Sequence, residues 1–317
     1  MQQVVESARR LAEEVLLPDA EAVDAASTVP TAHLVALDEA GLTGLAAARP
    51  ALEERVDVAA ALAGGCLATA FVWAQHQGAL AGALTAAGPG SRFASDLASG
   101  RTRAGVVITA VRGPAPLRLR VAEEGWVLSG SALWVTGWGI AQQLRVAAVA
   151  DDGAIATVLV DVGPGMRADP APLVAANASS TVTLTFDDVA VPADRFLEAV
   201  SWETWAAADA AGLAGNGALA LGVAGRAAAF AGSSALADEV AAARAGLLAA
   251  GVDELPAARG ACSALAVRAA AALAVHDGGR SVIRGSRADR LLREAHFLLG
   301  FGSRPAIRAD LLVRFGG

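Results

Sequence analysis

Few residue types in this 317-residue chain can carry acid–base or metal chemistry. The four histidines and two cysteines are scattered, and none has the close Cys/His spacing of a metal site. Cys66 and Cys262 lie in alanine-rich helical segments, which favours small buried side chains in a reducing compartment. No metal centre is predicted.

A basic run and one histidine are the remaining polar candidates. The run follows Gly278-Gly279 and comprises Arg280, Arg284, Arg287 and Arg290. Guanidinium groups beside such a turn could hold a phosphate, but a solvated face or a subunit contact is the preferred interpretation. His76 falls in a helical segment, where we expect a partly exposed side chain.

Charge and hydropathy exclude several classes of protein. A net charge of −7 and a pI near 5.2 argue against binding to nucleic acid or anionic membranes. The most apolar stretches, 206–231 and 261–275, contain charged residues, so no membrane span is predicted. The N-terminal 17 residues carry charges at helical spacing rather than a signal peptide, and we expect a cytoplasmic location.

The chain divides into three segments of different character. Residues 1–103 show apolar residues at helical spacing, with a long helix over 68–85 and shorter helices over 38–45 and 56–62. Residues 104–196 are a β middle domain, and 197–317 are alanine- and leucine-rich helices with breaks at 232–234, 251–256 and 278–279. The predicted strands are 105–109, 117–121, 126–130, 133–136, 144–150, 155–162 and 181–186.

This order predicts an α+β multidomain fold: a helical N-terminal domain, a small β-barrel or sandwich, and a C-terminal helical bundle. Strands and helices do not alternate, which excludes a doubly wound nucleotide-binding fold.

Four sequence strings resemble those of the acyl-CoA dehydrogenase family. They are Gly125-Trp126-Val127-Leu128-Ser129-Gly130 running into Leu133-Trp134-Val135-Thr136-Gly137, Phe186-Asp187-Asp188-Val189-Ala190-Val191-Pro192, Leu97-Ala98-Ser99-Gly100, and Arg293-Glu294-Ala295. They occur in the family's order over nearly the whole chain. The resemblance implies bound FAD, an acyl-CoA or related thioester as ligand, and assembly into a homo- or hetero-oligomer with another chain of the same kind.

The resemblance also assigns cofactor-binding residues. Trp134 and Thr136 match the family's Trp-Ile-Thr motif beside the flavin, and Thr109 matches the Thr of its Thr-Glu-Pro turn. Gly278 and Gly279 match the end of its Gln-x-x-Gly-Gly motif. On a regular strand Trp134 and Thr136 would share one face, in a cleft shared with the C-terminal helices. From the residues alone, a core tryptophan and ordinary strand threonines are the alternative.

Several family features are missing. After Thr109 the chain reads Ala110-Val111-Arg112-Gly113-Pro114 in place of Glu-Pro-x-x-Gly-Ser-Asp. The Arg-x-x-Phe-Gly motif that reaches the cofactor diphosphate has no counterpart, and Val275 replaces the Gln before Gly278-Gly279. About half of the cofactor cradle is therefore absent from this chain.

The family's catalytic carboxylate is missing as well. Its two known positions correspond here to Gly302 and Trp205, and neither residue can accept a proton. Glu203 is the remaining catalytic candidate, ahead of Asp209, although acidic residues in a first helical turn also suit the helix dipole.

The sequence leads to one favoured function and two alternatives. The favoured function is a non-catalytic or weakly catalytic subunit of a heteromeric acyl-CoA dehydrogenase, whose partner supplies the base and the diphosphate contacts. The alternatives are a flavin-dependent hydroxylase of the same fold and a cofactor-free structural partner.

Overall fold

The computed structural model describes residues 2–88 and 90–317. The N-terminal part consists of helices α1 (Gln2–Leu11), α2 (Leu17–Asp24), α3 (Thr31–Glu39), α4 (Leu52–Gly65), α5 (Leu67–Ala87) and α6 (Arg92–Ala98). The helix predicted over 68–85 is confirmed as α5. The helix predicted over 38–45 is wrong, because Gly41 adopts a φ of 70° just beyond α3 and the Leu42 amide donates back to the Leu37 carbonyl. That bond is a standard helix stop.

The middle part is one mixed sheet. Its strands are β1 (Ala104–Val107), β2 (Arg118–Ala122), β3 (Gly125–Val135), β4 (Gln143–Ala150), β5 (Ile155–Asp161), β6 (Met166–Pro170), β7 (Val182–Val191) and β8 (Phe196–Val200). The order is β6-β7-β3-β2-β4-β5-β8, with β1 paired to β4. The sequence missed β6 and β8, which are short and little buried, so they lack the alternation that marks a strand. The sheet continues to Val200, beyond the predicted boundary at 196.

A break between β1 and β2 carries residues out of the sheet. Both strands pair in parallel with β4, β1 along 143–146 and β2 along 149–150. The residues between them leave the sheet and form a short helical turn, Thr109–Arg112. This turn projects Thr109 and Arg112 away from the sheet core, which is built from fully buried side chains such as Leu119, Leu128 and Leu184.

The C-terminal part is a helical bundle. It comprises α7 (Trp202–Ala211), α8 (Leu213–Phe230), α9 (Ser234–Ala249), α10 (Leu255–Asp277), α11 (Arg287–Gly300) and α12 (Pro305–Arg314). All three predicted breaks are confirmed. The bundle shares one hydrophobic core with the N-terminal helices, so these two helical parts pack as a unit.

One helical stretch, Leu255–Val282, is long and apolar enough by length and composition to cross a membrane. Half of the tested window is buried inside the protein. The core helix of a soluble bundle meets the same criterion, and α10 packs against α8, α9, α11 and α12.

Candidate functional site

Trp134 lies on an irregular end of β3. The pairing with β7 shifts register between Ala132 and Val135, and Trp134 adopts a φ of 65°. Its side chain is 58% exposed, whereas Val135 and Thr136 are each 1% exposed. The expectation that Trp134 and Thr136 share one face is therefore wrong, because the bulge interrupts the strand's alternation.

Thr109 holds this bulge in place. Its hydroxyl donates to the Leu133 carbonyl at 3.0 Å, and the Leu133 side chain is 57% exposed. Leu133 and Trp134 are thus two adjacent exposed apolar side chains. A bulky residue in the left-handed region costs about 1–3 kcal/mol, and such strain clusters at binding sites.

Thr136 faces the opposite way, into a buried hydroxyl network. Its Oγ1 lies 3.0 Å from Oγ1 of Thr181, which lies 2.9 Å from Oγ of Ser179. Thr136 also lines a cavity of ≈ 20 Å³ beside Trp73 and His76. That volume holds about one water, whereas ring-sized ligands occupy pockets of roughly 300 Å³ or more.

His76 is buried, so the prediction of a partly exposed histidine is wrong. Its Nε2 donates to the Leu97 carbonyl at 3.1 Å, and its Nδ1 accepts from the Ala104 amide at 3.2 Å. Burial, assisted by the charge of Arg103, lowers the pKa of His76 to about 4. The neutral ring therefore ties α5 to the end of α6 and the start of β1, and neither nitrogen is free for a substrate.

The two positions that the sequence resemblance aligns with the family's base hold Trp205 and Gly302. Trp205 is 7% exposed and packs against Val111, Ala147 and Ile155 of the β domain. Gly302 has a φ of 60°, and a Cβ placed there would lie 2.8 Å from Nδ2 of Asn216. A side chain at Gly302 would have to displace the Asn216 amide on a left-handed backbone, and the Trp205 indole fills the space at the other position.

Glu203 has the wrong surroundings for a catalytic base. It lies exposed in the first turn of α7, and its own backbone N–H, followed by the Ser201 hydroxyl, lowers the pKa of its carboxyl. A base for this chemistry needs a pKa raised by a dry pocket. Its catalytic assignment stays a prediction.

Asp209 instead bridges three elements. Its Oδ2 accepts from Nη2 of Arg112 at 2.5 Å and lies 2.8 Å from Nη2 of Arg304. The Arg304 Nη2 also donates to the Asp209 carbonyl at 2.7 Å. The Arg112 guanidinium lies 5.3 Å from the centre of the Trp205 ring, a cation–π distance. We call Arg112, Asp209 and Arg304 the Asp209 clamp.

The clamp links the β domain to the bundle. Arg112 comes from the turn after β1, Asp209 from α7, and Arg304 from the connection between α11 and α12. Sequence reasoning considered Asp209 only as a displaced base and missed its partners, which are 97 and 95 residues away. The one available signal was Arg112, which stands in the altered loop after Thr109.

Gly278 and Gly279 lie at an exposed turn after α10. An added Cβ at either position would meet no atom within 4 Å. Exposed apolar side chains flank the turn: Val275 is 83%, Val282 86% and Ile283 60% exposed.

The four arginines of the basic run beside this turn differ in their contacts. Arg287 pairs with Asp277 at 2.6 Å, and Arg290 forms a buried pair with Glu294 at 2.9 Å. Arg280 and Arg284 are exposed.

Comparison with known proteins identifies the fold. No family profile matches the sequence, and no curated protein sequence matches it. Butyryl-CoA dehydrogenase from Megasphaera elsdenii is similar in structure, with a TM-score of 0.86 at 19% identity, over 99% of this chain and 97% of that one. The chain has the acyl-CoA dehydrogenase fold.

Two further structures extend the comparison. FkbI, described as acting in biosynthesis of the methoxymalonyl extender unit of the polyketide Fk520, matches with a TM-score of 0.79 at 22% identity, over 97% of this chain and 98% of that one. A glutaryl-CoA dehydrogenase from Mycobacterium smegmatis, solved with FADH2, matches with a TM-score of 0.77 at 17% identity, over 100% and 94%.

Only part of FAD finds a matching surface among the described residues. The exposed Trp134 indole would suit stacking of a heterocyclic ring. The hydroxyls of Thr109 and Thr136 are already hydrogen-bonded within the protein, and the space beside Thr136 is too small for a ring. The chain thus offers a ring surface and lacks the family's diphosphate arginine.

Proposed function

We propose that this chain is a non-catalytic subunit of an acyl-CoA dehydrogenase-like assembly, in which a partner of the same fold supplies the catalytic carboxylate. The observation that carries this proposal is the state of the two base positions. Trp205 is packed into the β domain, and Gly302 is held against Asn216 in a left-handed conformation. Both positions are committed to structure rather than to proton transfer.

The reaction of the fold's catalysts explains why this matters. A carboxylate removes the proton alpha to a thioester, and FAD, when bound, accepts the hydride. General-base assistance is worth roughly 10²–10⁴ in rate. In this chain Trp134 would cover one face of the flavin ring, Thr109 hydrogen-bonds to the bulge that presents Trp134, and the Asp209 clamp links the β domain to the bundle.

The exposed turn after α10 supports assembly with a partner. Val275, Val282 and Ile283 leave large apolar side chains in water around Gly278-Gly279, and such patches mark subunit interfaces. Arg280 and Arg284 beside them could meet a diphosphate held between subunits. We propose that the partner is an acyl-CoA dehydrogenase-like chain, that the shared ligand is an acyl-CoA or related thioester, and that the assembly is cytoplasmic.

The hydroxylase alternative is less well supported. In such an enzyme a polar group on α5 would face the substrate, and His76 is the candidate. Both of its ring nitrogens are hydrogen-bonded to backbone groups in a buried site.

Solution mass and flavin content test the proposal. The wild-type chain should form an oligomer at micromolar concentration, and Val282→Glu should reduce its mass. The matched control is Val121→Glu, because Val121 is 69% exposed on the β2–β3 hairpin, away from the turn. The partner should co-purify from the source cells in a flavin-containing, active complex. A wild-type monomer without such a partner would contradict the proposal.

A further inference from the structure

The Asp209 clamp has the geometry of a carboxylate receptor. Two guanidinium groups from separate elements converge on one oxygen, Oδ2 of Asp209, at 2.5 Å from Arg112 and 2.8 Å from Arg304. The stacking of Arg112 on Trp205 fixes the first of these groups. Charge-assisted bonds of this kind are roughly twice as strong as neutral ones.

Arg304 has an unused donor in the clamp. Its Nη2 serves both the carboxylate and the carbonyl of Asp209, while its Nε is buried without a hydrogen-bond partner among the described residues. Guanidinium groups bind carboxylates best through two parallel bonds, and such a pair from Arg304 would use both Nε and Nη2. Asp209, tethered to α7, engages only Nη2.

Positive side chains outnumber negative ones around the clamp. Arg259 is fully buried, donates Nη2 to the carbonyls of Leu298 and Phe301, and leaves Nε and Nη1 unpartnered among the described residues. The charges of Arg259 and Arg304 act on each other: Arg304 adds to the burial that lowers the pKa of Arg259 to about 10. Arg112 and Arg304 therefore share one carboxylate, and Arg259 adds a third positive charge that acts on Arg304, a situation that favours a second anion.

We propose that Arg112 and Arg304 form a carboxylate-binding site that the chain's own Asp209 fills in this closed conformation. A ligand carboxylate takes the place of the Asp209 side chain and pairs with Nε and Nη2 of Arg304. The clamp side chains are 10–27% exposed, so solvent reaches the site from the cleft. Its neighbours Trp205 and Gly302 occupy the fold's base positions, which places the site beside the thioester region.

The substrate class follows, and this step rests on the proposed function. A thioester whose acyl group ends in a free carboxylate can displace Asp209 and open the cleft. A thioester with a plain alkyl group offers no group that can compete for the two arginines.

Chemical rescue tests the site independently of flavin and of any partner. Asp209→Ala removes the internal carboxylate and should lower Tm by several degrees, and acetate or formate should restore at least half of that loss relative to chloride at equal ionic strength. Asp209→Asn, which leaves no space, should show no rescue, and neither should Asp209→Ala combined with Arg304→Gln. Equal rescue by chloride, or rescue that persists without Arg304, overturns the proposal. Stronger rescue by inorganic phosphate overturns the assignment to a carboxylate.

Hydrogen exchange of the wild-type chain tests the substrate class and needs no folded Asp209 variant. Succinyl-CoA should accelerate exchange in residues 202–211 and 301–305, butyryl-CoA should not, and Arg304→Gln should abolish the difference. An equal response to both thioesters, or none to either, overturns the acidic acyl group. Failure here leaves the test by oligomeric mass and flavin content standing, so the two hypotheses fail separately.

Discussion

Two of the contacts that join the bundle to the rest of the molecule are very different in kind. Against α4 it packs through glycines: a Cβ on Gly222 would lie 2.2 Å from the Ala60 carbonyl, and one on Gly64 would lie 3.1 Å from the Gly222 carbonyl. Against the β domain, beside the buried Trp205 indole, it is joined by the Asp209 clamp, whose long charged side chains are partly exposed.

This difference separates permanent from exchangeable packing. The α4–α8 contact brings two backbones together without water, so no side chain or ion can replace any part of it. The clamp consists of hydrogen bonds that water or a competing anion can replace. We infer that the glycine contact fixes the arrangement of the helical parts, while the clamp is the exchangeable part of the contact between the bundle and the β domain.

The largest effect is expected at the glycine contact. Gly222→Ala should lower the free energy of unfolding by about 3 kcal/mol, because the added methyl meets backbone atoms that cannot move aside. Gly225→Ala, three residues along the same helix, should be neutral or stabilising by up to about 1 kcal/mol, since its Cβ would lie 3.8 Å from Val240. Denaturant unfolding of both variants checks this, and equal losses would remove the distinction between the contacts.

A comparable effect should appear with pH at His76, where the N-terminal helices meet the sheet. Its folded-state pKa of about 4 lies below the ordinary histidine value of 6.5. The folded chain therefore binds fewer protons than the unfolded chain between these values, and stability falls as pH drops from 6.5 to 4. The loss should approach 3 kcal/mol, and His76→Gln should remove that part of the slope. An unchanged slope in the variant would show that other groups carry it.

The clamp should contribute less, and its contribution should depend on salt. A double-mutant cycle of Arg112→Gln and Asp209→Asn should give a coupling of about 1 kcal/mol that shrinks in 1 M salt. The exposed pair of Arg120 and Asp188, at 3.0 Å, is the matched control and should couple by less than about 0.5 kcal/mol. Salt-independent coupling at the clamp would mean that it behaves like the packed contact.

The smallest effect on the free energy of unfolding is expected at Trp134, where substitution should stabilise the chain rather than destabilise it. Trp134→Asn should raise the free energy of unfolding by about 0.5–1 kcal/mol, because asparagine tolerates the left-handed backbone that tryptophan adopts there under strain. The same variant should weaken flavin binding in the assembled complex. Lower stability of Trp134→Asn would show that the indole contributes to packing within the fold and is not kept exposed for a ligand.

The sequence was informative where local rules decide the structure. Helix stops at 232–234, 251–256 and 278–279, and the turn between β2 and β3, follow from glycine, proline and charged residues within a few positions. The fold class followed from the order of these segments and from the Trp134–Thr136 string.

Prediction from the sequence failed where the local structure depends on residues that are distant in the chain. The bulge that turns Trp134 away from Thr136 depends on pairing with β7, about 50 residues later. The burial of His76 depends on where α6 and β1 end. The clamp joins Asp209 to Arg112, 97 residues before it, and to Arg304, 95 residues after it, and no local sequence pattern indicates this contact.

Turnover by the isolated chain tests the central claim most directly. The purified wild type, saturated with FAD, is assayed with an artificial electron acceptor and acyl-CoA thioesters of several chain lengths, beside Glu203→Gln and Asp209→Asn. We predict no turnover above a heat-denatured control in any of the three, because neither Trp205 nor Gly302 can accept the alpha proton. Robust turnover that survives both substitutions would place the active site elsewhere, and turnover abolished by Glu203→Gln alone would make this chain an ordinary dehydrogenase with Glu203 as its base.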